Sequence, residues 1–386
     1  MDAMTRALLV ILSASAVFGQ TLQIASVPNP AAQGSIQPNW AVAADGSILL
    51  SWVEPQKDDT YSMKFAMRKD GKWSPARTIV ANRSFFRHPA EIPSMVGLAD
   101  GTLVAEWIEN GKDGESEFVN VSTSKDGVKW SAPQIAHKNR AEAQHGLASM
   151  IASGPNEVSI LWLQALMGED NPAALMRTVV GADGKEIREE QLDADVCTCC
   201  PTSVVKTNKG LLVAYRDHTT GDIRDIAVTR FENGKWTQTK NVYPDKWKID
   251  ACPTNAATAA AQGDRVAIGW YTGADDKPKV QLVFSTDGGA TFTKPVSLST
   301  GRAFGYVSTI LDKDGGALVS WIEQGTSTAQ VLVRSVSAAG VAGPVTKVAE
   351  GTRQSLGYPR LLNTGSEIWI AWGDNKTSFK TAQIKR

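Results

Sequence analysis

The amino-acid sequence predicts an all-β protein built from repeated units. Its 386 residues include 33 Gly, 17 Pro and 12 Trp, a composition rich in turn formers and in aromatic residues that favour strands. With 42% hydrophobic and 21% charged residues, the chain is neither disordered nor fibrous. Its 40 basic residues balance its 40 acidic residues, so net charge gives no reason to expect nucleic acid or an anionic membrane as a partner.

A short strand, a turn containing glycine and an alternating strand that ends in an aromatic residue recur along the chain. The terminal aromatic residues are Trp52, Trp107, Trp162, Tyr215, Trp270, Trp321 and Trp372. Their successive spacings lie between 51 and 55 residues. A fixed period of this size is typical of a repeat architecture.

A second kind of turn, which contains an Asp-Gly pair, lies between these hairpins. It occurs in Arg68–Trp73, Ser124–Trp130 and Ser285–Phe292. Because Asp accepts backbone hydrogen bonds, Gly adopts positive φ and the aromatic residue packs beneath, each segment predicts a self-contained hairpin. Each repeat therefore supplies four strands, the content of one β-propeller blade.

The turn Ser285–Phe292 resembles the Asp-box, or BNR, repeat of the sialidase superfamily, with Phe292 in place of the usual Trp. The resemblance covers nearly the whole chain after its first residues and implies a propeller fold. It implies little about activity, because such boxes also occur in non-catalytic propellers. Sialidases have six blades, but the seven first hairpins of this chain favour seven, with six as the alternative.

The last repeat supplies a single strand, Ser378–Ile384, after its first hairpin. We expect a strand near Thr21–Ala25 to pair with it, because this would complete the blade, close the ring and remove both exposed sheet edges.

The N-terminus has the pattern of an export signal. Met1–Arg6 carries positive charge, Ala7–Val17 is an apolar run, and a cleavage site is plausible before Gln20. No later segment has the roughly 20 apolar residues that a membrane helix needs. We therefore expect a signal peptide over 1–19, a propeller over 20–386, and a monomer that is secreted or periplasmic.

Propeller geometry predicts which residues meet. If the first strand of each blade runs inward from one face, its start and the end of the second strand lie together at one mouth. The first-strand starts include Gln37, Glu91, Gln144, Cys199, Cys252, Gly305 and Gly357, and the second-strand ends include Glu54, Glu109, Gln164, Arg216, Tyr271, Glu323 and Asp374. This polar funnel is the expected ligand site of a propeller.

Acids and cations near this mouth are candidates for glycoside chemistry, which uses paired carboxyl groups. The candidate catalytic residues are Glu91, Glu109, Asp217 and Asp250, and the candidate ligand-binding residues are Arg216, Arg224, Arg360, Tyr271 and Tyr306. The pairs Arg216–Asp217 and Arg224–Asp225 are equally open to interpretation as structural ion pairs.

Resemblance to sialidases implies three arginines that bind a sugar carboxylate, the first of them in an Arg-Ile-Pro motif. This chain has Glu91-Ile92-Pro93 at that place. A glutamate there would repel the carboxylate, so sialic acid is not the expected substrate.

The cysteines are the sharpest local feature of the sequence. Cys197, Cys199 and Cys200 share one loop, Cys252 begins the next blade and His145 begins the preceding one. In an oxidising compartment the four cysteines could form two disulfides. Together with His145 they could instead bind copper or zinc, and a redox-active disulfide is a third interpretation.

The leading hypothesis is an exported, sialidase-like propeller that binds a glycan or related polar ligand at its mouth. Hydrolysis of that ligand is the stronger form of this hypothesis. The alternatives are a metal-binding or thiol redox protein, and an interaction scaffold without chemistry.

Overall fold

The computed structural model describes residues 21–114, 116–140, 143–166, 173–374 and 378–386, and it contains seven antiparallel β-sheets. The sheets follow one another along the chain as the blades of a ring, which confirms the predicted seven-bladed, all-β propeller. The predicted signal peptide lies outside the described residues. Within them, no helix has the length and apolar character needed to cross a membrane.

The strands are numbered in chain order. Ahead of the first blade lies β1 (Gln23–Val27). Blade 1 contains β2 (Ile36–Val42), β3 (Ile48–Pro55), β4 (Tyr61–Lys69), β5 (Lys72–Trp73) and β6 (Arg77–Arg83). Blade 2 contains β7 (Ser94–Gly97), β8 (Leu103–Asn110), β9 (Glu117–Ser124) and β10 (Gln134–Ile135). Blade 3 contains β11 (Ala143–Gly154), β12 (Glu157–Leu166), β13 (Ala173–Gly181) and β14 (Glu186–Val196).

The remaining blades repeat this order. Blade 4 contains β15 (Ser203–Thr207), β16 (Gly210–Arg216), β17 (Ile226–Glu232), β18 (Lys235–Trp236) and β19 (Lys240–Asn241). Blade 5 contains β20 (Thr258–Gln262), β21 (Arg265–Thr272), β22 (Lys279–Ser285) and β23 (Val296–Ser297). Blade 6 contains β24 (Ala303–Leu311), β25 (Ala317–Gln324), β26 (Ala329–Val336) and β27 (Ala342–Gly351). A short helix, α1 (Arg353–Leu356), precedes blade 7, which contains β28 (Arg360–Asn363), β29 (Ile368–Asp374) and β30 (Ser378–Lys385).

The N-terminal strand closes the ring as predicted. β1 pairs antiparallel with β30, with Gln23 opposite Lys385 and Val27 opposite Thr381. The sheet order of blade 7 is β1, β30, β29, β28, so the first strand of the chain becomes the outer strand of the last blade. The pairing removes the free edge that β30 would otherwise expose.

The aromatic residue that ends each repeated second strand belongs to the core. Trp52, Trp107, Trp162, Tyr215, Trp270 and Trp321 are almost fully buried, and Trp372 is 8% exposed. These large rings lie within the hydrophobic clusters that join one blade to its neighbour. The regular spacing of the aromatic residues is thus the spacing of the packing contacts between blades.

A buried indole N–H needs a hydrogen-bond acceptor. In three blades this acceptor is a glutamate at the same position relative to the tryptophan. Trp52, Trp107 and Trp321 each donate to the glutamate two residues later. Those acceptors are Glu54, Glu109 and Glu323, at distances of 3.5, 2.6 and 2.9 Å from the indole nitrogen. Several of the polar residues at second-strand ends therefore satisfy core tryptophans.

The Asp-Gly turns have the structure that the sequence predicts. Asp287 accepts hydrogen bonds from the Thr291 backbone N–H at 2.9 Å, the Thr291 hydroxyl at 2.6 Å and the Ser285 hydroxyl at 2.7 Å. Gly288 and Gly289 have φ of 74° and 84°. The turn is held by its own side chains, and Phe292 packs against the neighbouring core.

We predict that Asp287→Ala lowers the free energy of unfolding by about 1 to 2 kcal/mol, because three donors lose their acceptor. Asp183→Ala is the matched control, since Asp183 occupies a weaker copy of the turn and accepts the Lys185 N–H alone among backbone donors of the described residues. We expect a loss of about 0.5 kcal/mol or less there. Denaturant unfolding measures both, and equal losses would contradict this account of the turn.

Candidate functional site

Two recesses lie at the mouth of the propeller, where first strands begin and second strands end. The larger recess has a volume of about 400 Å³ and spans blades 7, 1 and 2. Its lining includes Gln37, Arg87, His88, Gln354, Tyr358 and Asp374. The smaller recess has a volume of about 100 Å³ and is bounded by Phe86, His88, Glu117, Gln144, Leu163 and Cys199, among others. His88 lines both recesses, so the two recesses are adjacent.

The carboxyl groups of Glu91, Glu106 and Glu117 are buried and form an acidic cluster that reaches the smaller recess through Glu117. Glu91 Oε2 accepts the Leu147 backbone N–H at 2.5 Å, and Glu91 Oε1 accepts that of Ala148 at 3.3 Å, so this side chain ties blade 2 to blade 3. A β-carbon on Gly146 would lie 2.8 Å from Glu91 Oε2 and 3.3 Å from Glu117 Oε2. Glycine at 146 is therefore what allows both carboxyl groups to approach the same point.

Burial controls the protonation of these acids. Burial raises the pKa of Glu117 to about 7, and it raises the pKa of Glu106 to about 7 against the opposing hydrogen bond from the Ser94 hydroxyl. The pKa of Glu91 is raised well above its ordinary value by burial and then by the charges of Glu106 and Glu117. Glu117 is the member of this acidic cluster that lines the recess, so it is the one able to exchange a proton with a ligand.

His88 is only partly exposed, and burial lowers its pKa. Its Nδ1 accepts the Ala90 backbone N–H at 3.3 Å. The neutral ring therefore carries its proton on Nε2, where it is available to a ligand. The loop that carries His88 folds inward, so the ring borders both recesses.

Of the other predicted acids, none lines either recess. Glu109 accepts from Arg83 Nε and Nη2 at 2.8 and 2.6 Å as well as from Trp107, so both of its oxygens are occupied. Asp217 is buried, and its pKa is raised to about 7 by burial and then by the charge of Asp193. Asp250 is exposed in the connection between blades 4 and 5.

The predicted arginines differ in the partners of their guanidinium groups. Arg216 is buried and donates to the backbone carbonyls of Arg224, Asn255 and Tyr271 at 2.7 to 3.3 Å. Its guanidinium also lies over the Trp247 ring, 5.0 Å from the centroid. These bonds join blades 4 and 5, and Arg216 lines neither recess.

Arg224 and Arg360 lie in different parts of the molecule. Arg224 Nη1 is 3.5 Å from Cys197 Sγ. Arg360 donates from Nε to Asn39 Oδ1 at 3.1 Å and lines a cavity of about 450 Å³ on the propeller axis, below the mouth. The three arginines therefore do not converge on one anion.

The Arg-Asp ion pairs that were the alternative interpretation of these arginines are not formed by the described residues. Arg216 bonds to carbonyls, and Asp225 accepts the backbone N–H groups of Lys246 and Trp247 at 2.9 and 3.0 Å.

The predicted tyrosines are framework residues of the mouth. Tyr271 packs its ring against Trp247 with centroids 5.5 Å apart. The Tyr306 hydroxyl accepts from Arg353 Nε at 2.9 Å, and its ring lies 4.1 Å from that of Tyr358. Of the Tyr306 and Tyr358 pair, Tyr358 lines the larger recess.

Three of the cysteines form a compact group. The ligand atoms of Cys197, Cys199 and Cys200 all lie within 4.8 Å of one another. Cys197 Sγ is 3.8 Å from Cys199 Sγ and 3.4 Å from Cys200 Sγ. All four cysteines are free thiols, so the structure contains neither of the two disulfides considered above.

The other two predicted members do not belong to this compact group, although Cys252 borders the same loop. Cys252 is exposed, with its sulfur 4.0 Å from the Thr198 hydroxyl. His145 donates from Nδ1 to the carbonyls of Glu117 and Ala143 at 2.8 and 3.1 Å, and its ring stacks on His137 at 4.1 Å. The five-residue site predicted from the sequence is therefore reduced to three sulfurs.

Comparison with known families identifies the repeats. The model of the BNR repeat-like domain matches residues 54–363, which is most of the chain. The chain belongs to the BNR repeat-like domain family.

Solved structures of similar fold accompany this family assignment. An ulvan lyase described as a polysaccharide lyase superposes with a TM-score of 0.59 at 10% identity, covering 94% of this chain and 98% of that one. The α-L-arabinofuranosidase from Fusarium graminearum has a TM-score of 0.50 at 12% identity, covering 96% and 98%. A variant of the NanB sialidase from Streptococcus pneumoniae has a TM-score of 0.51 at 12% identity, covering 88% and 83%. No curated protein matches in sequence. The likeness establishes a sialidase-like propeller fold.

Sequence reasoning missed Glu117 in this BNR repeat-like propeller. Glu117 is the first residue of β9, a third strand. In an antiparallel blade the third strand begins where the second ends, so third-strand starts also reach the mouth. The position of Glu117 at the start of a third strand is therefore visible in the sequence. Its burial next to Gly146 is not, because that depends on the packing of blade 2 against blade 3.

We predict that the acidic cluster makes the stability of this BNR repeat-like propeller fall as pH rises. A carboxyl whose pKa is raised on folding holds its proton longer in the folded state, so the stabilisation present at low pH is lost as pH rises through about 7. Glu106→Gln should remove about 2 to 3 kcal/mol of the difference in unfolding free energy between pH 5 and pH 8.

Denaturant unfolding of both proteins at the two pH values measures this effect. Glu157→Gln, at the base end of blade 3, serves as the control and should keep the wild-type difference. An unfolding free energy of the wild type that does not change between pH 5 and pH 8 would rule out the proposed protonation of the cluster.

Proposed function

We propose that this propeller is a carbohydrate-active protein that binds an oligosaccharide or polysaccharide across the two mouth recesses and hydrolyses it. The observation that carries the proposal is the position of Glu117, a buried carboxyl of raised pKa that opens into the smaller recess. Both recesses border His88, so a chain of sugars that spans the two would lie next to the carboxyl group.

The lining of the recesses suits a polar ligand with hydroxyl groups. Gln354 and Gln144 supply amides that can donate and accept, and His88 supplies an N–H. Gln37 supplies an amide oxygen that can accept, because its amide nitrogen donates to the carbonyls of His88 and Glu91 at 2.9 and 2.5 Å. Phe86 stacks on His88 with centroids 6.1 Å apart, and Tyr358 lines the larger recess, so apolar ring faces are also available to sugar rings.

In the proposed reaction, Glu117 gives its proton to the glycosidic oxygen as the bond to the anomeric carbon breaks. The oxygen of a water molecule bonds to the anomeric carbon, and its proton passes to solvent. A pKa of about 7 keeps a substantial fraction of Glu117 protonated at neutral pH. Glu91, which is held by two backbone N–H groups, supports the burial of Glu117 and does not itself reach the ligand.

A neutral or weakly acidic glycan fits better than sialic acid. Among the described residues that line the two recesses, Arg87 is the single arginine. A sugar carboxylate bound by three guanidinium groups would need further arginines. Arg216, Arg224 and Arg360 line neither recess.

The test is a panel of polysaccharides and aryl glycosides, with release of reducing ends as the readout and binding measured separately by calorimetry. We predict that Glu117→Gln lowers kcat by about 100-fold to 10,000-fold while the dissociation constant for the glycan changes little, because the amide fills the same space but cannot donate the required proton. The wild-type kcat/KM should fall as pH rises through about 7, since the acid must be protonated.

Glu157→Gln is the matched control, because it makes the same change in blade 3 at the end away from the mouth. A wild-type protein that neither binds nor cleaves any member of the panel would defeat the proposal. Full activity in Glu117→Gln would remove Glu117 as the acid, and binding without cleavage would reduce the function to glycan recognition.

We also propose that the protein works outside the cytoplasm, in the periplasm or after secretion, on the basis of the apolar run Ala7–Val17 that follows Arg6. Cell fractionation with N-terminal sequencing of the mature protein tests this. The expected result is a mature N-terminus near Gln20, and a cytoplasmic protein that retains Met1 would contradict it.

A further inference from the structure

The three-cysteine group at the mouth has no role in the proposed hydrolysis. Cys197 and Cys200 are each 1% exposed, and Cys199 is partly exposed and lines the smaller recess. Sulfur atoms 3.4 and 3.8 Å apart are well beyond the bond length of a disulfide, about 2.05 Å. They are close enough for one ion to bond to all three at about 2.3 Å.

The loop that carries these residues is fixed at both ends. The Cys197 backbone N–H donates to the Arg216 carbonyl at 3.1 Å. Beyond Pro201, the Thr202 backbone N–H donates to the Leu147 carbonyl, and the Thr202 hydroxyl contacts the Leu161 carbonyl at 3.2 Å. The three sulfurs are therefore held by blades 3 and 4 rather than by a free loop, which reduces the ordering needed to bind an ion.

Positive charge lies next to the sulfurs. Arg224 Nη1 points to Cys197 Sγ at 3.5 Å, and Arg224 Nε is buried without a hydrogen-bond partner. Guanidinium groups stabilise thiolates, which are the forms of cysteine that bind metals. A set of three thiolates on a monovalent ion would carry excess negative charge, and Arg224 is placed to offset part of it.

We propose that Cys197, Cys199 and Cys200 form a three-thiolate site for one copper(I) ion. Binding replaces the thiol protons with Cu–S bonds, releases those protons to solvent and changes no oxidation state. The site lies beside the smaller recess, through Cys199, but uses none of the groups assigned to hydrolysis.

The donor set favours copper(I) over zinc. All three donors are soft sulfurs, and the described residues place no other His, Cys, Asp or Glu ligand atom in the same group. Structural zinc sites require four protein ligands, whereas thiolate sulfur alone suits copper(I). Cys252 is exposed near Thr198, and His145 is held in its stack with His137.

The experiment uses the full chain, reduced and kept without oxygen, titrated with copper(I) against a chromophoric copper(I) chelator. We expect one ion per chain. Cys197→Ser and Cys200→Ser should each weaken binding by at least about 100-fold, and Arg224→Gln by about 10-fold to 100-fold because it removes a group that supports the ligands. Cys252→Ser is the matched control and should bind as the wild type does.

Circular dichroism and thermal unfolding of each variant without metal establish that it is folded, and Arg224→Gln keeps all three sulfurs should a cysteine variant fail to fold. Three results would overturn the proposal: equal copper(I) affinity in the wild type and the folded Cys197→Ser and Cys200→Ser variants, zinc displacing copper(I) at equal concentration, or metal-free protein from its native compartment with two of the three sulfurs joined in a disulfide. Each is independent of glycan cleavage, which is measured with Glu117→Gln.

Discussion

Burial of one large aromatic ring per blade, with its polar atom satisfied, is the constraint on which this propeller depends. The rings join each blade to the next, and an unsatisfied indole N–H in that position would cost about 1 to 3 kcal/mol. Glu54, Glu109 and Glu323 meet this need from the same strand, two residues after the tryptophan. Because these carboxylates accept hydrogen bonds from core tryptophans, part of the polar rim of the mouth stabilises the core.

Contacts between neighbouring blades also create the site. Glu91 reaches from blade 2 to the backbone of Leu147 in blade 3, and Gly146 leaves space for Glu117 beside it. Arg216 joins blade 4 to blade 5 through carbonyl groups. Groups that resemble catalytic or anion-binding residues in a sequence thus serve as the connections that hold the blades in place, and the recess is what remains between them.

The fold could be predicted from the sequence because its signals are local and repeated. Blade number, the Asp-Gly turns and the closing strand depend on spacing and on short motifs, and the structure agrees with all three. The site could be predicted only in part. The Cys197, Cys199 and Cys200 group follows from adjacency in one loop, but the acceptors of Arg216 include Asn255 and Tyr271, 39 and 55 residues away. His145 is not part of the three-sulfur group; its ring stacks on Phe118 and His137 of blade 2, and its Nδ1 donates to the carbonyls of Glu117 and Ala143.

The pairing of β1 with β30 joins two segments separated by almost the whole chain. During synthesis, β1 is made long before β30, so the seventh sheet can be completed only after nearly the whole chain has been made. Until then β30 has an open edge able to pair with another molecule, and the ring lacks the bonds that keep its circumference fixed. Because β1 and β30 are neighbours, a permuted chain that links these two strands directly and begins in another loop would keep the same ring of blades and the same mouth.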